Sequence, residues 1–198
     1  MMMDVKRLFM CLVLVSLAAA GALAETDLPQ GWPMVAANPQ RTSWVPQEIR
    51  GHLKFEWYRH IEPHVSQKTQ VIAALGTLYV STARGLYALD ADTGRTRWVY
   101  ETEMPMGNSP TIAGEVAYVG CFDKKLHAVN ARTGKRIWTF EAGAGFHTNP
   151  LVIDGVVYAG CRDGIFYAVD AKTGKLRWKF TTAGPILFSA AYADGVVF

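Results

Sequence analysis

Two groups of side chains in this sequence have the residue types and the spacing of a metal site. Asp90 and Asp92, followed by Gly94, are placed like the first ligands of a calcium-binding loop. His60 and His64 have the spacing of a helical pair of imidazole ligands. The two loops equivalent to the first group do not keep both carboxylates, and a proline interrupts the histidine pair. We therefore favour a solvated turn for the first group and a loop without metal for the second.

Catalytic motifs of known type do not occur in the chain. The sequence lacks a Gly-x-Ser-x-Gly elbow, a Walker loop, a dinucleotide-binding fingerprint, a His-Glu-x-x-His helix and a Cys-x-x-Cys pair. His127 stands where two other copies of a repeated segment have Tyr87 and Tyr167. We expect His127 to replace these tyrosines on a strand surface rather than to act as a catalyst.

The segments that must position these residues form a repeat with a period of 40 residues. Its motif is Ala-x-Asp/Asn-x-x-Thr-Gly-x-x-x-Trp, and a fixed period of this length indicates stacked structural units. The three copies contain Ala88, Asp90, Thr93, Gly94 and Trp98; Ala128, Asn130, Thr133, Gly134 and Trp138; and Ala168, Asp170, Thr173, Gly174 and Trp178. We interpret these fifteen residues as a structural docking motif.

Each copy of the motif has the pattern of a β-hairpin. The Asp or Asn accepts hydrogen bonds from backbone N–H groups of the turn, and the glycine supplies a positive φ. We expect the large indole to lie against the small alanine beside it, or between neighbouring units. Two further short strands precede each hairpin, and four strands per repeat predict one blade of a β-propeller. Frequent Gly and Asp turns exclude a helical repeat.

The threefold motif closely resembles the tryptophan-docking repeat of the PQQ-like β-propellers. This family includes the quinoprotein alcohol dehydrogenases and the outer-membrane protein assembly factor BamB. The resemblance covers about residues 53–198 and implies an all-β fold built from four-stranded antiparallel blades. Because its members include both enzymes and proteins that bind no quinone, the resemblance does not by itself select a function.

Three regions divide the chain. Residues 1–24 have the basic start, the apolar run and the small-residue cleavage site of a secretory signal peptide, which predicts a periplasmic or extracellular protein. Residues 25–52 form an extended lead-in, and residues 53–198 form the propeller. Its blades are predicted at about 69–101, 104–141 and 144–181, with a half blade at 184–198.

The predicted propeller is an incomplete arc of about three and a half blades. Closed propellers have about four to eight blades. The segment Leu53–Arg59 resembles the last strand of a blade but has no partner strands before it. We therefore expect further repeats in the native protein, and unpaired strand edges in the 198-residue piece.

A group of polar residues precedes the first strand of each predicted blade. First strands line the central channel of a propeller, and their loops open onto one face. These residues are Asn108, Ser109, His147, Thr148, Asn149 and Ser189. We predict that they form a polar arc around the channel mouth, where a ligand binds. The alternative is that they only satisfy backbone groups of the loops.

Charge and cysteine content limit the partners further. Removal of the signal peptide lowers the net charge from +3 to +2, which offers no electrostatic basis for binding nucleic acid or anionic lipid. No membrane span remains after cleavage. Cys121 and Cys161 occupy the same place in neighbouring blades, at an expected separation of about 10 Å, beyond the ~7 Å Cα limit for a disulfide. We predict two free thiols.

Three functions from different classes are compatible with these observations. The first is a non-catalytic scaffold that binds other envelope or secreted proteins and needs no cofactor. The second is a piece of a quinoprotein dehydrogenase that uses PQQ and Ca²⁺, and the third is a sensor propeller of a larger protein. The resemblance implies that a dehydrogenase carries adjacent cysteines and acidic calcium ligands, whereas the cysteines here are 40 residues apart. We favour the scaffold.

Overall fold

The computed structural model describes residues 31–43, 52–61, 64–65 and 69–198. The predicted signal peptide and the beginning of the lead-in lie outside the described residues. The described part of the chain contains 14 β-strands and no helix. Accordingly, no helix in these ranges has the length and apolar character needed to cross a membrane.

Three four-stranded antiparallel sheets follow one another along the chain, each with its strands in sequential order. Blade one contains β1 (Ile72–Ala74), β2 (Thr77–Thr82), β3 (Gly85–Asp90) and β4 (Thr96–Glu101). Blade two contains β5 (Thr111–Ala113), β6 (Val116–Gly120), β7 (Lys125–Asn130) and β8 (Arg136–Glu141). Blade three contains β9 (Leu151–Ile153), β10 (Val156–Gly160), β11 (Ile165–Asp170) and β12 (Leu176–Thr181). The half blade contains β13 (Tyr192–Ala193) and β14 (Val196–Val197). The sheets remain open, and the prediction of an all-β fold with four-stranded antiparallel blades is confirmed.

The hydrophobic core lies between adjacent blades. Ile72, Tyr79 and Leu86 of blade one pack in one buried cluster with Ala117 and Val119 of blade two. A second cluster joins blades two and three in the same way. Because each blade buries its face only against its neighbours, the alternating apolar residues of the inner strands stabilise the stack rather than a single sheet.

The repeated tryptophan joins each blade to the next. Trp98 lies opposite Ala88 in the pairing of β3 with β4, where a β-bulge follows. Its indole N–H donates to the carbonyl oxygen of Ala131 in blade two over 3.1 Å. A Cβ atom on Gly134 would come within 2.8 Å of this indole, and Gly134 has a φ of +72°. Glycine is therefore required there both by the backbone conformation and by the ring that covers it.

Two other tryptophans, one after and one before Trp98 in the chain, make the same contact. Trp138 donates to the carbonyl oxygen of Ala171 over 2.9 Å. Trp57, which precedes blade one, donates to that of Ala91 over 3.1 Å. The segment around Trp57 resembles a blade strand without partner strands before it, and residues 52–61 make no strand pairing. A single docked indole can therefore contact blade one without a surrounding sheet.

The lead-in crosses the inner edges of the blades. The backbones of Trp32 and Ala73 exchange two hydrogen bonds, and the carbonyl oxygen of Pro33 accepts from Ile112 N–H of blade two. Further along, the Arg41 guanidinium donates to the carbonyl oxygen of Ala190, beside the half blade, over 2.6 Å. This guanidinium also donates to the Asn149 carbonyl oxygen over 3.4 Å. The described part of the lead-in therefore forms hydrogen bonds with all three blades and with the residues beside the half blade. These bonds lie along the first strands, where the central channel is predicted.

Candidate functional site on the loop face

Two kinds of loop meet at one end of the blades. One kind joins the second and third strands of a blade, and the other joins one blade to the next. They comprise residues 83–84, 102–110, 121–124, 142–150, 161–164 and 182–191. We call this end the loop face. The opposite end carries the tight turns of the docking motif, and we call it the turn face.

The predicted polar arc lies partly on the loop face, but most of its side chains contact one another or the backbone. The N–H of Ser109 donates to Asn149 Oδ1 over 2.9 Å. In the next blade the N–H of Asn149 donates to Ser189 Oγ over 2.8 Å. Three residues spaced by 40 thus form a chain of hydrogen bonds that joins one first strand to the next.

Two further members of the arc are buried. Thr148 donates its hydroxyl to the carbonyl oxygen of Gly160 over 2.8 Å. The amide of Asn108 donates to the carbonyl oxygen of Phe146 over 3.5 Å. Buried polar groups need such partners, and these contacts match the alternative in which the arc satisfies the loops. His147 and Ser189 are the members that border open clefts, and the cleft beside His147 is the more polar one.

This cleft lies between blades two and three and has a volume of about 490 Å³. Its lining residues are Met104, Phe122, Ala144, Gly145, His147 and Arg162. The rings of Phe122 and His147 stack with centroids 4.4 Å apart and planes 18° from parallel. The exposed Arg162 side chain adds a positive charge beside this aromatic wall. The cleft can therefore hold an aromatic or acidic group, but it contains no nucleophile paired with a base.

A second cleft, of about 440 Å³, lies between blade three and the half blade. Its lining is mostly aromatic and aliphatic, with Phe166, Phe180, Ile186, Phe188 and Phe198 among its residues. Phe188 is 87% exposed there. This cleft is an apolar surface without a charged group, in contrast to the cleft beside Arg162.

Beneath Phe122 lies a buried cluster of titratable side chains, Cys121, Asp123 and His127. The imidazole Nε2 is 3.1 Å from Asp123 Oδ2, and Nδ1 is 3.0 Å from the hydroxyl of Tyr100. Only 3% of His127 is exposed, so the expectation that it lies on a strand surface is wrong. The error arises because Tyr100 of blade one packs against this imidazole, a contact that a single repeat does not reveal.

Burial dominates the protonation of His127 and Cys121. It lowers the pKa of His127 below its usual value, although the Asp123 carboxylate acts in the opposite direction. The imidazole is therefore neutral, and the contacts fit an Nε2–H that donates to Asp123 and an Nδ1 that accepts from Tyr100. Burial also raises the pKa of Cys121 to about 12, which keeps it a thiol. Cys121 and Cys161 are both free cysteines.

Blade three repeats this arrangement with a different third residue. Cys161 and Asp163 match Cys121 and Asp123, but Tyr167 replaces the histidine and donates to Asp163 Oδ2 over 2.7 Å. Burial, followed by this hydrogen bond, raises the pKa of Tyr167. Above it lies Phe140, which has no hydroxyl group.

In the calcium-like loop, both carboxylate oxygens of Asp90 already accept hydrogen bonds within the hairpin. Asp90 Oδ1 accepts from the N–H and the hydroxyl of Thr93 over 2.9 and 2.7 Å. Asp90 Oδ2 accepts from the guanidinium of Arg97 over 2.7 Å. The hydrogen bonds from Arg97, followed by those from Thr93, lower the pKa of Asp90 to about 2. The geometry is that of a turn stabilised by an ion pair.

The described residues contain no group of several carboxylates of the kind that calcium favours. Within the described ranges, one group of three or more His, Cys, Asp or Glu side chains has metal-ligand spacing, namely the buried cluster under Phe122. That group offers a single carboxylate, whereas calcium favours several oxygen ligands. His60 and His64 are exposed and belong to no such group. The two described cysteines lie in different blades.

Comparison with known proteins identifies the family. The family model PQQ_2, described as outer membrane protein assembly factor BamB, matches residues 54–186, which is more than half of the chain. The chain belongs to this PQQ-like family. The resemblance inferred from the docking motif is thereby confirmed. No curated protein matches this PQQ-like chain.

Solved structures share the fold of this PQQ-like chain. A quinohemoprotein alcohol dehydrogenase from Pseudomonas putida HK5 is 23% identical, with a TM-score of 0.66 over 78% of the chain and 27% of that structure. Quinohemoprotein alcohol dehydrogenase from Comamonas testosteroni is 22% identical, with a TM-score of 0.67 over 76% and 27%. BamB from Moraxella catarrhalis is 29% identical, with a TM-score of 0.49 over 54% and 33%. The chain thus spans about a quarter to a third of the length of these structures.

Several features of the site were missed by reasoning from the sequence. The acceptors of the docking tryptophans are the carbonyl oxygens of Ala91, Ala131 and Ala171, which carry no side-chain signal, although alanine follows the turn Asp or Asn in every copy. The stack of Phe122 on His147 joins two loops 25 positions apart. Its only sequence signal is that two aromatic rings lie in loops of the same face.

Proposed function

We propose that this PQQ-like chain is part of an exported, non-catalytic propeller that binds other envelope or secreted proteins through its loop face. The observation that carries the proposal is the open cleft between blades two and three, with its aromatic wall of Phe122 and His147 and the charge of Arg162. Aromatic and arginine side chains are the residues that dominate binding energy at protein interfaces.

Three further observations support this function. The matching family model is named after an outer-membrane protein assembly factor, a protein of the cell envelope. The first 24 residues have the pattern of an export signal. The described residues provide no pair of nucleophile and base at the cleft. Five of the six polar arc residues, all except His147, take part in hydrogen bonds that hold the loops.

The chemistry of the cleft favours a polypeptide segment with an aromatic or acidic side chain. Such a ring can lie against Phe122, and a carboxylate can pair with Arg162 in two parallel hydrogen bonds. A quinone-dependent dehydrogenase is the competing function, since dehydrogenases share the fold. It requires acidic calcium ligands, and the described residues do not supply them.

Site-specific photocrosslinking in cells tests the proposal. A photoreactive amino acid replaces Met104, which lines the cleft, or, as a control, Arg132, an exposed arginine paired with Glu115 on the turn face. We expect discrete crosslinked envelope proteins at position 104 and none of these at position 132. Phe122→Ala should abolish them. Identical crosslinks at both positions would contradict the proposal, and so would alcohol oxidation by the purified protein with added PQQ and Ca²⁺.

A further inference from the structure

The buried cluster under the cleft combines three different metal-binding side chains. Cys121, Asp123 and His127 offer a sulfur, an oxygen and a nitrogen, and these atoms all lie within 4.8 Å of one another. Tetrahedral zinc with bonds of about 2.0–2.3 Å places its ligand atoms about 3.3–3.7 Å apart. Imidazole Nε2 and Asp123 Oδ2 are already 3.1 Å apart. Inward movement of the side chains by about 1 Å therefore converts the cluster into a zinc site.

The surroundings already support the aspartate and the histidine in the required orientation. Cys121 Sγ donates to the carbonyl oxygen of Met104 over 3.2 Å, and metal binding replaces this hydrogen bond. Asp123 Oδ1 accepts the N–H of Lys125 over 3.0 Å, which fixes the carboxylate while Oδ2 faces the imidazole. The Tyr100 hydroxyl lies 3.0 Å from Nδ1 of His127. If Nε2 binds a metal, Nδ1 must carry the proton, and the Tyr100 oxygen is positioned to accept it. A partner on the second nitrogen of this kind is typical of histidines that bind metals.

Asp123 lies in a loop of the loop face and is the most exposed member of the cluster. Its side chain is 11% exposed and that of His127 is 4% exposed, whereas Cys121 is fully buried. We propose that Cys121, Asp123 and His127 bind one Zn²⁺ ion, with the fourth position open to water or to a group of a bound partner. Binding converts the Cys121 thiol to a thiolate and releases its proton to solvent.

Blade three provides a natural control for this site. It has the same cysteine and the same carboxylate, held in the same way, since the N–H of Ile165 donates to Asp163 Oδ1 over 2.9 Å. Tyr167 occupies the histidine position, and the residue above it is Phe140 in place of Tyr100. A neutral phenol that donates to the carboxylate is a poor zinc ligand. The two blades thus differ at the residue that would bind zinc, His127 or Tyr167, and at the residue above it, Tyr100 or Phe140.

The experiment exchanges these two residues between the blades. The double variant Tyr100→Phe with His127→Tyr gives blade two the residues of blade three. The reverse variant, Phe140→Tyr with Tyr167→His, gives blade three the residues of blade two. Purified protein is stripped with a chelator and titrated with Zn²⁺ by calorimetry. Co²⁺ then serves as a probe, since a thiolate bound to cobalt gives a charge-transfer absorption.

We expect one equivalent of metal bound by the native protein, none by the first variant and two by the second, each with the thiolate–cobalt absorption. Cys121→Ser should remove that absorption from the native protein. Thermal unfolding verifies that every variant is folded. A native protein that binds no Zn²⁺, a first variant that keeps the full equivalent, or a folded second variant without a second equivalent would each overturn the proposal and leave the cluster a structural contact.

Discussion

Blades two and three have the same loop structure but place different side chains beside its aspartate. In both, a buried cysteine is followed by an aspartate whose Oδ1 caps the loop backbone and whose Oδ2 faces the third strand. Blade two presents an imidazole there with a tyrosine hydroxyl above it, and blade three presents a phenol below a plain phenyl ring. The residue facing the aspartate and the residue above it differ together between the two blades. The second nitrogen of an imidazole needs a hydrogen-bond partner, whereas a phenol ring does not. A repeat can therefore keep its backbone while the chemistry at one position changes.

The largest expected effect is the slow reaction of the buried thiols of Cys121 and Cys161 compared with an exposed thiol. Burial raises the pKa of Cys121 to about 12 and raises that of Cys161 as well. At pH 8 a thiol with a pKa near 12 reacts on the order of a thousandfold more slowly than an exposed one. We expect both to react slowly in the metal-free native protein, with Cys161 before Cys121, and two thiols to be counted after denaturation.

Thiol labelling followed by peptide mass spectrometry measures this difference. Denatured protein under non-reducing conditions is the control for the total count. Rapid labelling of Cys121 in the native protein would contradict its burial, and fewer than two thiols after denaturation would contradict the prediction of free cysteines.

The next effect compares the docking tryptophans of the same two blades. Trp138 donates to the Ala171 carbonyl oxygen over 2.9 Å, whereas Trp178 is 46% exposed. We expect Trp138→Ala to lower the free energy of unfolding by about 2–4 kcal/mol, because it removes a packed indole and its hydrogen bond. Trp178→Ala should cost less than about 1.5 kcal/mol. Urea unfolding of both variants gives the comparison, and equal losses would show that docking contributes little.

The two aspartates should differ by a smaller amount. Asp163 accepts from the hydroxyl of Tyr167 and from the N–H groups of Gly143 and Ile165. Asp123 accepts from one N–H and from the imidazole. Removal of the carboxylate leaves more donors without a partner in blade three. We expect Asp163→Ala to cost about 2–3 kcal/mol and Asp123→Ala about 1–2 kcal/mol, measured without metal. A larger loss for Asp123→Ala would reverse the comparison.

Features that lie within one repeat could be predicted from the sequence, whereas contacts between repeats could not. The blades could be predicted, because the period, the turn glycines and the tryptophans follow from local pattern. The environment of His127 could not, since Tyr100 comes from the preceding blade. The role of Arg41 was also missed, because its acceptor on Ala190 is 149 positions away. Of the polar arc, the sequence predicted the shared face, while the bonds between Ser109, Asn149 and Ser189 depend on the stacking of blades.

The smallest effect concerns pH and the docking turns. Asp90 pairs with Arg97 and Asp170 with Arg177, whereas blade two has Asn130 and Ile137 at these positions. The native pKa of Asp90 is lowered to about 2 from 3.8, and that of Asp170 is also lowered. A lowered native pKa gives stability above the unfolded value that is lost as the pH falls through the native one.

We therefore expect the native protein to lose more thermal stability between pH 4.5 and about 2.5 than the double variant Asp90→Asn with Asp170→Asn. Asn130→Asp is the matched control, since it adds a carboxylate to a turn that has Ile137 in place of the pairing arginine. Melting temperatures across this range measure the effect. Parallel curves for the native protein and the double variant would show that the ion pairs are too screened to matter.

Anomalous X-ray scattering at the zinc absorption edge tests the contrast between the two loops most directly. Crystals grown with one equivalent of Zn²⁺ should give one peak within bonding distance of Cys121 Sγ, Asp123 and His127, and no peak beside Cys161. Zinc at both loops, or zinc bound only elsewhere on the molecule, would contradict the inference that the residue facing the aspartate decides whether a blade binds zinc.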